Sequence, residues 1–479
     1  MTEHARYESP LNTRYASPAM QHLWSTQHRT GVWRRLWLAL AEAQRDLGLD
    51  IPDAAIEQLR AHQDDADLDE VQKYETRFRH DVMAHIHHYG DQAPAARGFL
   101  HLGATSAFVT DNADLVLIRD ALKLELGRLI AVIRALVSFA EQYAAVPAIA
   151  YTHFQPAQLT TVGKRATLWL QDFLLDAQSL DDLIERLPFR GCKGTAGTQA
   201  TYLELFGGDH EKVRELDRRV AAALGFEKSI AVSGQTYTRK LDSQVLDALG
   251  GIAQSASKYS TDLRLLQHEG EILEPTEKEQ IGSSAMPHKR NPMRAERISS
   301  LSRYVLSQQA NAHYTAATQW LERTLDDSAN RRLAIPEAFL ATDSVLVLCT
   351  NVSAGLTVNE KVVYRNVEQA MPFMATERWL MLGVQAGGDR QALHEVMRQH
   401  SWAVADAVAD GSANDLLERL AADPAFGAVE VEALRAELDP RLYYGRAPEQ
   451  VREFLEGPVA ELLDSLATFD TAEDASVTV

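Results

Sequence analysis

Apolar residues recur at alternating steps of three and four over three unusually long stretches in the middle of the chain. The first runs from Asp111 to Tyr143, where Leu115, Ile118, Leu122, Leu126, Leu129, Ile133 and Leu136 fall on one helical face. Thr110 or Asp111 can cap its start, and Pro147 lies past its end. The second runs from Ala157 to Leu187, with Leu159, Val162, Ala166, Trp169, Phe173, Ala177, Leu180, Ile184 and Leu187 in register. Pro156 suits its first turn and Pro188 stops it. The third extends from about Arg239 to Glu271, through Leu241, Val245, Leu249, Ile252, Ala256, Tyr259, Leu263 and Leu266, with Pro275 beyond. Two further helical stretches, after Pro292 and from about Leu333 to Gly355, complete a set of five.

At a rise of 1.5 Å per residue the three rods would each be on the order of 45 Å long, too long for the rest of one subunit to wrap. Rods of this kind pack as bundles. A narrow apolar seam flanked by small residues such as Ala166 and Ala256 suits pairing between subunits as well as within one, so a homo-oligomer is expected. The flanks are different. Up to about residue 106, shorter helical pieces are broken by Pro52, by the acidic patch Asp64 to Glu70 and by the turn around Gly90 to Gly98. Past about residue 358, Gly387-Gly388, Gly411, Pro424 and Gly445 interrupt the pattern again, and the small acidic stretch Thr471 to Val479 is expected to be disordered. Alternating strand patterns are few, so the chain reads as all-α.

Composition narrows the function. The 46% apolar and 24% charged residues fit an ordinary globular protein, and the polar, mixed-charge start from Met1 to Met20 has no secretory character. A cytoplasmic protein with no membrane span is expected. Cys192 and Cys349 are too few for a disulfide framework or a structural zinc site, which suits a reducing compartment. A net charge of −19 excludes general affinity for nucleic acid or anionic membrane, so any anionic ligand must meet a local basic cluster. One such cluster spans Gly282 to Arg297, where Lys289, Arg290, Arg294 and Arg297 face one acid, Glu296.

Several segments could carry chemistry. Gly282-Ser283-Ser284-Ala285-Met286-Pro287-His288-Lys289-Arg290-Asn291-Pro292 combines free backbone N–H groups, hydroxyls and charged donors in the manner of a closing lid; Gly-Ser-Ser alone would be a plain linker. Thr152-His153-Phe154-Gln155-Pro156 puts a histidine just before the expected helix at Ala157, a position that is also common for structural histidines. His80, His85, His87 and His88 lack the spacing of a zinc helix and have no thiolate nearby, so no metal site is expected. The glycines of Gly191-Cys192-Lys193-Gly194-Thr195-Ala196-Gly197 have the wrong spacing for a dinucleotide fold. The run Trp320 to Arg332 could be only a charged helix face.

Taken together these strings resemble the fumarase and aspartase superfamily, whose members eliminate fumarate from a succinyl group. The eleven residues Gly282 to Pro292 are similar to its signature loop and Thr152 to Gln158 to its second motif. The extension Leu159 to Arg165, the triplet Arg79-His80-Asp81, His101-Leu102-Gly103-Ala104-Thr105-Ser106 and Trp320 to Arg332 are similar to the branch that acts on succinylated purine nucleotides. The likeness covers about residues 70 to 450, with Arg14-Tyr15 as an earlier matching pair. It implies an all-α fold of three domains, 1–106, 107–358 and 359–479, with the central helices of four subunits in one bundle and sites where chains meet. It also implies β-elimination without cofactor or metal, on adenylosuccinate to give AMP and on the succinylated aminoimidazole carboxamide ribotide to give AICAR.

By that likeness His153 is the general acid and Ser283 the general base, although sequence chemistry alone would choose a histidine as base. Lys289 and Asn291 would stabilise the dianionic carboxylate. Arg14, Tyr15, Arg79, His80, Asp81, His101, Thr105, Ser106, Gln235, Arg297, Arg323, Ser328 and Arg332 would bind substrate, His101 near the phosphate. Two carboxylates and a phosphate suit the arginines as forks. Argininosuccinate lyase or a carboxymuconate cycloisomerase remains the alternative within the superfamily. A silent helical bundle is the alternative outside catalysis; its mark would be loss of Ser283 or His153, and both are present.

Overall fold

A computed structural model describes residues 7–469, so the tail expectation at Thr471–Val479 lies outside the described residues. Near the N-terminus, Ser25 accepts from the His28 amide and starts the helix Thr26–Asp46 (α1), which buries Val32, Leu36, Trp37 and Leu40. Leu68–Phe78 (α2) and Asp81–Gln92 (α3) follow. Arg79, in the left-handed region at φ 54°, ends the first of these, and His80 caps the second by accepting from the Met83 amide at 3.3 Å.

Ser106–Gln142 (α4) is 37 residues long, about 55 Å by helical rise. It begins five residues earlier than the expected start at Asp111. Thr110 and Asp111 therefore lie inside the helix rather than at its cap, because Asp111 is 2% exposed and engaged with distant partners. Pro147–Thr152 (β1) and Gln155–Thr161 (β2) form an antiparallel hairpin, with Pro147 opposite Thr161 and Thr152 opposite Gln155. The helix expected from Ala157 starts instead at Val162 and runs to Arg186 (α5). Residues 155–161 pair with β1, and Thr161 caps α5 by accepting from the Lys164 amide at 3.1 Å. His153 is thus at a hairpin tip, away from any helix start.

Lys240–His268 (α6), Met293–Thr318 (α7) and Asp327–Gly355 (α8) complete the set of long helices, and α4 to α8 pack on one another as a bundle. The last begins at Asp327, six residues before the expected Leu333, and holds Pro336 in its interior. It is long and apolar enough to cross a membrane, yet 78% of its most apolar window is buried inside the protein, as befits a core helix. Two-residue strands at Ile272–Leu273 (β3) and Thr357–Val358 (β4) pair where the bundle ends, and Glu360–Met374 (α9) follows.

One apolar cluster runs from α1 through the whole bundle and takes in Val451, Val459, Leu462 and Leu466 from the returning chain end. Thr376–Gln385 (α10) and Arg390–Ala409 (α11) belong to a separate core of Trp379, Leu393, Met397, Phe426 and Leu434. A small third cluster joins Ile149 and Leu159 of the hairpin to Val367 and Met371 of α9.

The tightest helix junction lies at the start of α5, where Gly163 donates its amide to the Tyr143 carbonyl at 2.8 Å. A Cβ on Gly163 would fall 2.3 Å from the Ala140 carbonyl oxygen and 2.6 Å from the Ala144 Cα, both backbone atoms that cannot swing aside. Gly163→Ala is therefore expected to lower stability by about 1–3 kcal/mol through forced separation of α4 and α5. A thermal melt equal to that of the wild type would show that the helices separate freely.

Candidate active site

The floor of the main cleft is a set of buried opposite charges. Arg239, 1% exposed, forks onto Asp111 with both Nη atoms at 3.1 Å and reaches Asp327 through Nε at 2.7 Å. Burial alone would raise the Asp111 carboxyl, but the Arg239, Arg331 and Arg190 guanidiniums around it prevail and hold it below its usual range. Beside this pair, Arg331 donates to Asp242 at 2.7 Å and Asp114 at 2.9 Å, and the Tyr237 hydroxyl donates to Asp242 at 2.6 Å. Three long helices, α4, α6 and α8, meet on these contacts.

Above the floor opens a cleft of about 490 Å³. Arg79, His80 and Asp81 enter it from the α2–α3 junction, Ser106 from the first turn of α4, Gln235 from the segment before α6, and Arg323, Ser328 and Arg332 from around the start of α8. Arg323 spends Nη1 on the two Asp327 oxygens, both at 3.2 Å, and makes no other hydrogen bond among the described residues, so the rest of its fork is open to a ligand. Arg332 reaches Asp81 at 2.9 Å, joining α8 to α3 across the cleft. Gln235 is fixed by its amide on the Glu322 carbonyl at 2.9 Å and by its side chain on the Thr195 carbonyl at 3.0 Å. A Cβ on neighbouring Gly234 would sit 2.6 Å from that Glu322 oxygen, so only glycine lets the two loops approach. Arg79 has no side-chain partner among the described residues.

His101 and Thr105 lie just outside the lining. Thr105 occupies the cap position of α4 without a side-chain bond. His101 accepts from the Trp37 indole at 2.9 Å, and burial, reinforced by nearby His80, pushes its pKa down to about 4. It is a neutral ring at pH 7. Near a phosphate it could donate a hydrogen bond but supply no charge.

The remaining expected residues sit elsewhere on the same chain. His153 is exposed at the hairpin tip, in the left-handed region at φ 53° with Phe154 at 57°. Ser283 lies in the loop between β3 and α7, where its Oγ accepts from the Ala285 amide at 3.3 Å and the Met286 amide at 3.1 Å. Asn291 donates to the Gly282 carbonyl at 2.8 Å and closes the neck of that loop, where the Lys289 backbone also approaches Gly282 and its side chain is exposed. Glu274 anchors the loop's root by accepting from the Arg294 and Ala295 amides at 3.0 and 2.9 Å. Arg297, near the start of α7, lies 5.4 Å above the Tyr15 ring, and neither they nor Arg14 line the cleft.

Sequence reasoning missed the floor: Asp111, Asp114, Arg239, Asp242, Asp327 and Arg331. The available signal was an acid at a seam position, since Asp111 precedes Leu115 and Ile118 on one apolar face. It also missed Trp24, Arg29, Trp33 and Glu75 on the cleft wall. The histidines of α3 serve packing: His85 lies edge-on to Trp33, His87 stacks on Tyr74, and His88 accepts from the Asp67 amide at 3.1 Å.

Residues 14–307 match the family described as Lyase, and residues 372–454 the one described as Adenylosuccinate lyase C-terminus. The chain is similar to the adenylosuccinate lyases of Saccharomyces cerevisiae and Schizosaccharomyces pombe, 47% identical to each over 100% of both chains. Its fold is similar to that of the 3-carboxy-cis,cis-muconate lactonizing enzyme from Pseudomonas putida, with a TM-score of 0.80 and 22% identity over 96% of this chain and 99% of that one.

The neutral histidines carry a pH signature. His101 and His85 both have pKa values pushed down to about 4, chiefly by burial, whereas in the unfolded chain each titrates near 6.5. Between those values the unfolded chain binds more protons. Their contribution to stability is therefore present above about pH 6.5 and lost as pH falls toward 4. Asp176, pushed up to about 7 by burial, works in the opposite sense but equally in wild type and variant. His101→Gln should consequently lose melting temperature less steeply than wild type between pH 6.5 and 4; parallel slopes would show that the ring is not held neutral.

Proposed function

Because the chain belongs to the adenylosuccinate lyase family, we propose that the cleft walled by Arg79, Ser106, Gln235, Arg323 and Arg332 holds the nucleotide, and that the proton-transferring residues reach it from other copies. The chain is an enzyme, a carbon–nitrogen lyase. It splits adenylosuccinate into AMP and fumarate, and the succinylated aminoimidazole carboxamide ribotide into AICAR and fumarate, in purine nucleotide biosynthesis. The observation that carries the division of the site is its geometry: the anion-binding arginines converge on one cleft, while His153 and Ser283 stand outside its lining.

The chemistry assigns the roles. Removing a weakly acidic hydrogen beside a carboxylate builds negative charge on that carboxylate, and breaking the C–N bond builds it on the leaving nitrogen, so donors must meet both. Ser283 is the base. The two amides that donate to its Oγ would also stabilise the alkoxide, which makes a serine competent once the loop closes and excludes water. Lys289 and Asn291 face the carboxylate, and His153 protonates the leaving nitrogen. Arg14, Tyr15 and Arg297 bind substrate from beside the foot of the loop, whereas Arg79, His80, Asp81, Ser106, Gln235, Arg323, Ser328 and Arg332 hold the nucleotide, with His101 and Thr105 behind them. No step calls for a metal or a cofactor.

The assembly is a homotetramer around the long helices. Leu168 and Leu175, 48% and 54% exposed one heptad apart on α5, support burial of that face against another copy. The chain divides into parts 1–106, 107–358 and 359–479, a reading supported by the separate apolar core of α10 and α11. It works in the cytoplasm on small-molecule substrates, its net charge of −19 keeping it off nucleic acid and anionic membrane.

His153→Ala and Ser283→Ala should each lower turnover by roughly 10²- to 10⁴-fold, followed as fumarate and AMP release, while leaving nucleotide affinity within about tenfold. Mixed in equal amounts, denatured and refolded, the two inactive variants should regain roughly 25% of wild-type activity, because about one site in four then pairs an intact histidine with an intact serine. Subunit exchange demonstrated by mass spectrometry without regained activity would mean that one chain supplies both residues.

A further inference from the structure

The hairpin that carries His153 is not a regular one. Its register slips by one residue between Ile149 and Tyr151, a bulge of the kind that re-aims the end of a strand. Arg165, in the first turn of α5, donates Nη2 to the Ile149 carbonyl at the edge of that bulge. Its other fork atom, Nη1, faces Glu271 Oε2 at 3.8 Å. Both groups are deeply buried, with side-chain exposures of 12% and 1%, and neither of these two atoms has a hydrogen-bond partner. They are opposite charges left to answer each other. Glu271 is held in turn: its second carboxylate oxygen accepts from Asn366 of α9 at 3.0 Å, and its carbonyl accepts from the Asn359 amide at 2.8 Å.

The position of Glu271 is what gives the pair a use. It immediately precedes β3, and from β3 the chain runs through Glu274 into the loop that bears Ser283. One buried ion pair therefore joins the root of the hairpin to the root of the loop. Arginine is required for this, since one planar group must reach a carbonyl with one nitrogen and a carboxylate with the other; a lysine offers a single point of charge.

We propose that Arg165 and Glu271 are positioning residues for the lyase reaction: their ion pair fixes the aim of the His153 hairpin and ties it to the base of the Ser283 loop. This rests on the assignment of those two residues as acid and base. A misplacement of about 1 Å at a reacting group can cost about 100-fold in rate while leaving remote binding contacts intact. Neither residue lines the nucleotide cleft, so loss of the pair should be felt in turnover and not in nucleotide binding.

The test compares Arg165→Lys, Glu271→Gln and the double variant Arg165→Gln with Glu271→Gln, in the full-length oligomer. The double variant leaves no unpaired buried charge and keeps the question answerable if a single one fails to fold. For variants that melt near the wild-type temperature, kcat should fall roughly 10- to 100-fold, while the dissociation constant of AMP, measured by calorimetry, stays within about twofold. The double variant should be no slower than the slower single one, as expected for residues acting through one contact. An unchanged kcat in the folded double variant, beside a His153→Ala control that has lost turnover, would overturn the proposal. Loss of kcat, AMP affinity and melting temperature in parallel would also overturn it, by reducing the pair to a structural contact. A His153→Ala control that keeps its turnover would instead overturn the acid assignment on which the proposal stands.

Discussion

Arg239 held between Asp111 and Asp327 is the contact on which the cleft depends. The three side chains come from α4, the start of α6 and the start of α8, and each is almost wholly withdrawn from water. Removing one partner of such a group would leave a buried charge uncompensated, at a cost on the order of 3–5 kcal/mol. The consequence reaches the surface through Asp327, which also receives Arg323. An arginine of the cleft wall is thereby held in place by its own chain, which leaves it less side-chain freedom to lose on meeting an anion. The wider lattice of Arg331, Asp114, Asp242 and Tyr237 extends the same logic to the helix that presents Arg332.

A rigid floor of this kind suits half of the reaction. Holding an anionic nucleotide requires fixed forks, and the cleft presents Arg332 on a long helix, with Arg323 tied to the start of that helix through Asp327. Moving a proton on and off the succinyl group requires closure and water exclusion, and the residues read as acid and base are carried on a hairpin tip and a loop. On the proposed roles, the nucleotide-holding cleft and the elements that carry the acid and the base are separate parts of the chain. Leu168 and Leu175, exposed one heptad apart on the 25-residue α5, give a face by which copies can bring the two kinds of element together.

Much of this was legible in the sequence, and the failures share a cause. The apolar seams of α4, α5 and α6 are local, period-3.6 signals, and they marked the bundle directly. The motif strings pointed to the family and named candidate side chains, among which Arg79, His80, Asp81, Ser106, Gln235, Arg323, Ser328 and Arg332 line one cleft. What local pattern could not supply was pairing over long separations. Asp111 looks like a helix cap until Arg239, 128 residues away, claims it for the core. Likewise Leu159 and Val162 continue the helical spacing of α5 backward, and only the pairing of Leu159 with Ile149 turns that segment into a strand. Where the site residues lie relative to one another depends on such contacts, so their division between cleft, hairpin and loop emerged only in three dimensions.

The central claim, that one chain supplies the nucleotide cleft and other copies supply the acid and the base, is tested most directly by a structure of the assembled Ser283→Ala enzyme with adenylosuccinate bound. The phosphate and purine should lie among Arg79, Ser106, Gln235, Arg323 and Arg332 of one copy, with His153 and the 283 position approaching the succinyl group from different copies. Nucleotide bound outside that cleft, or His153 and residue 283 reaching it from the same chain, would contradict it.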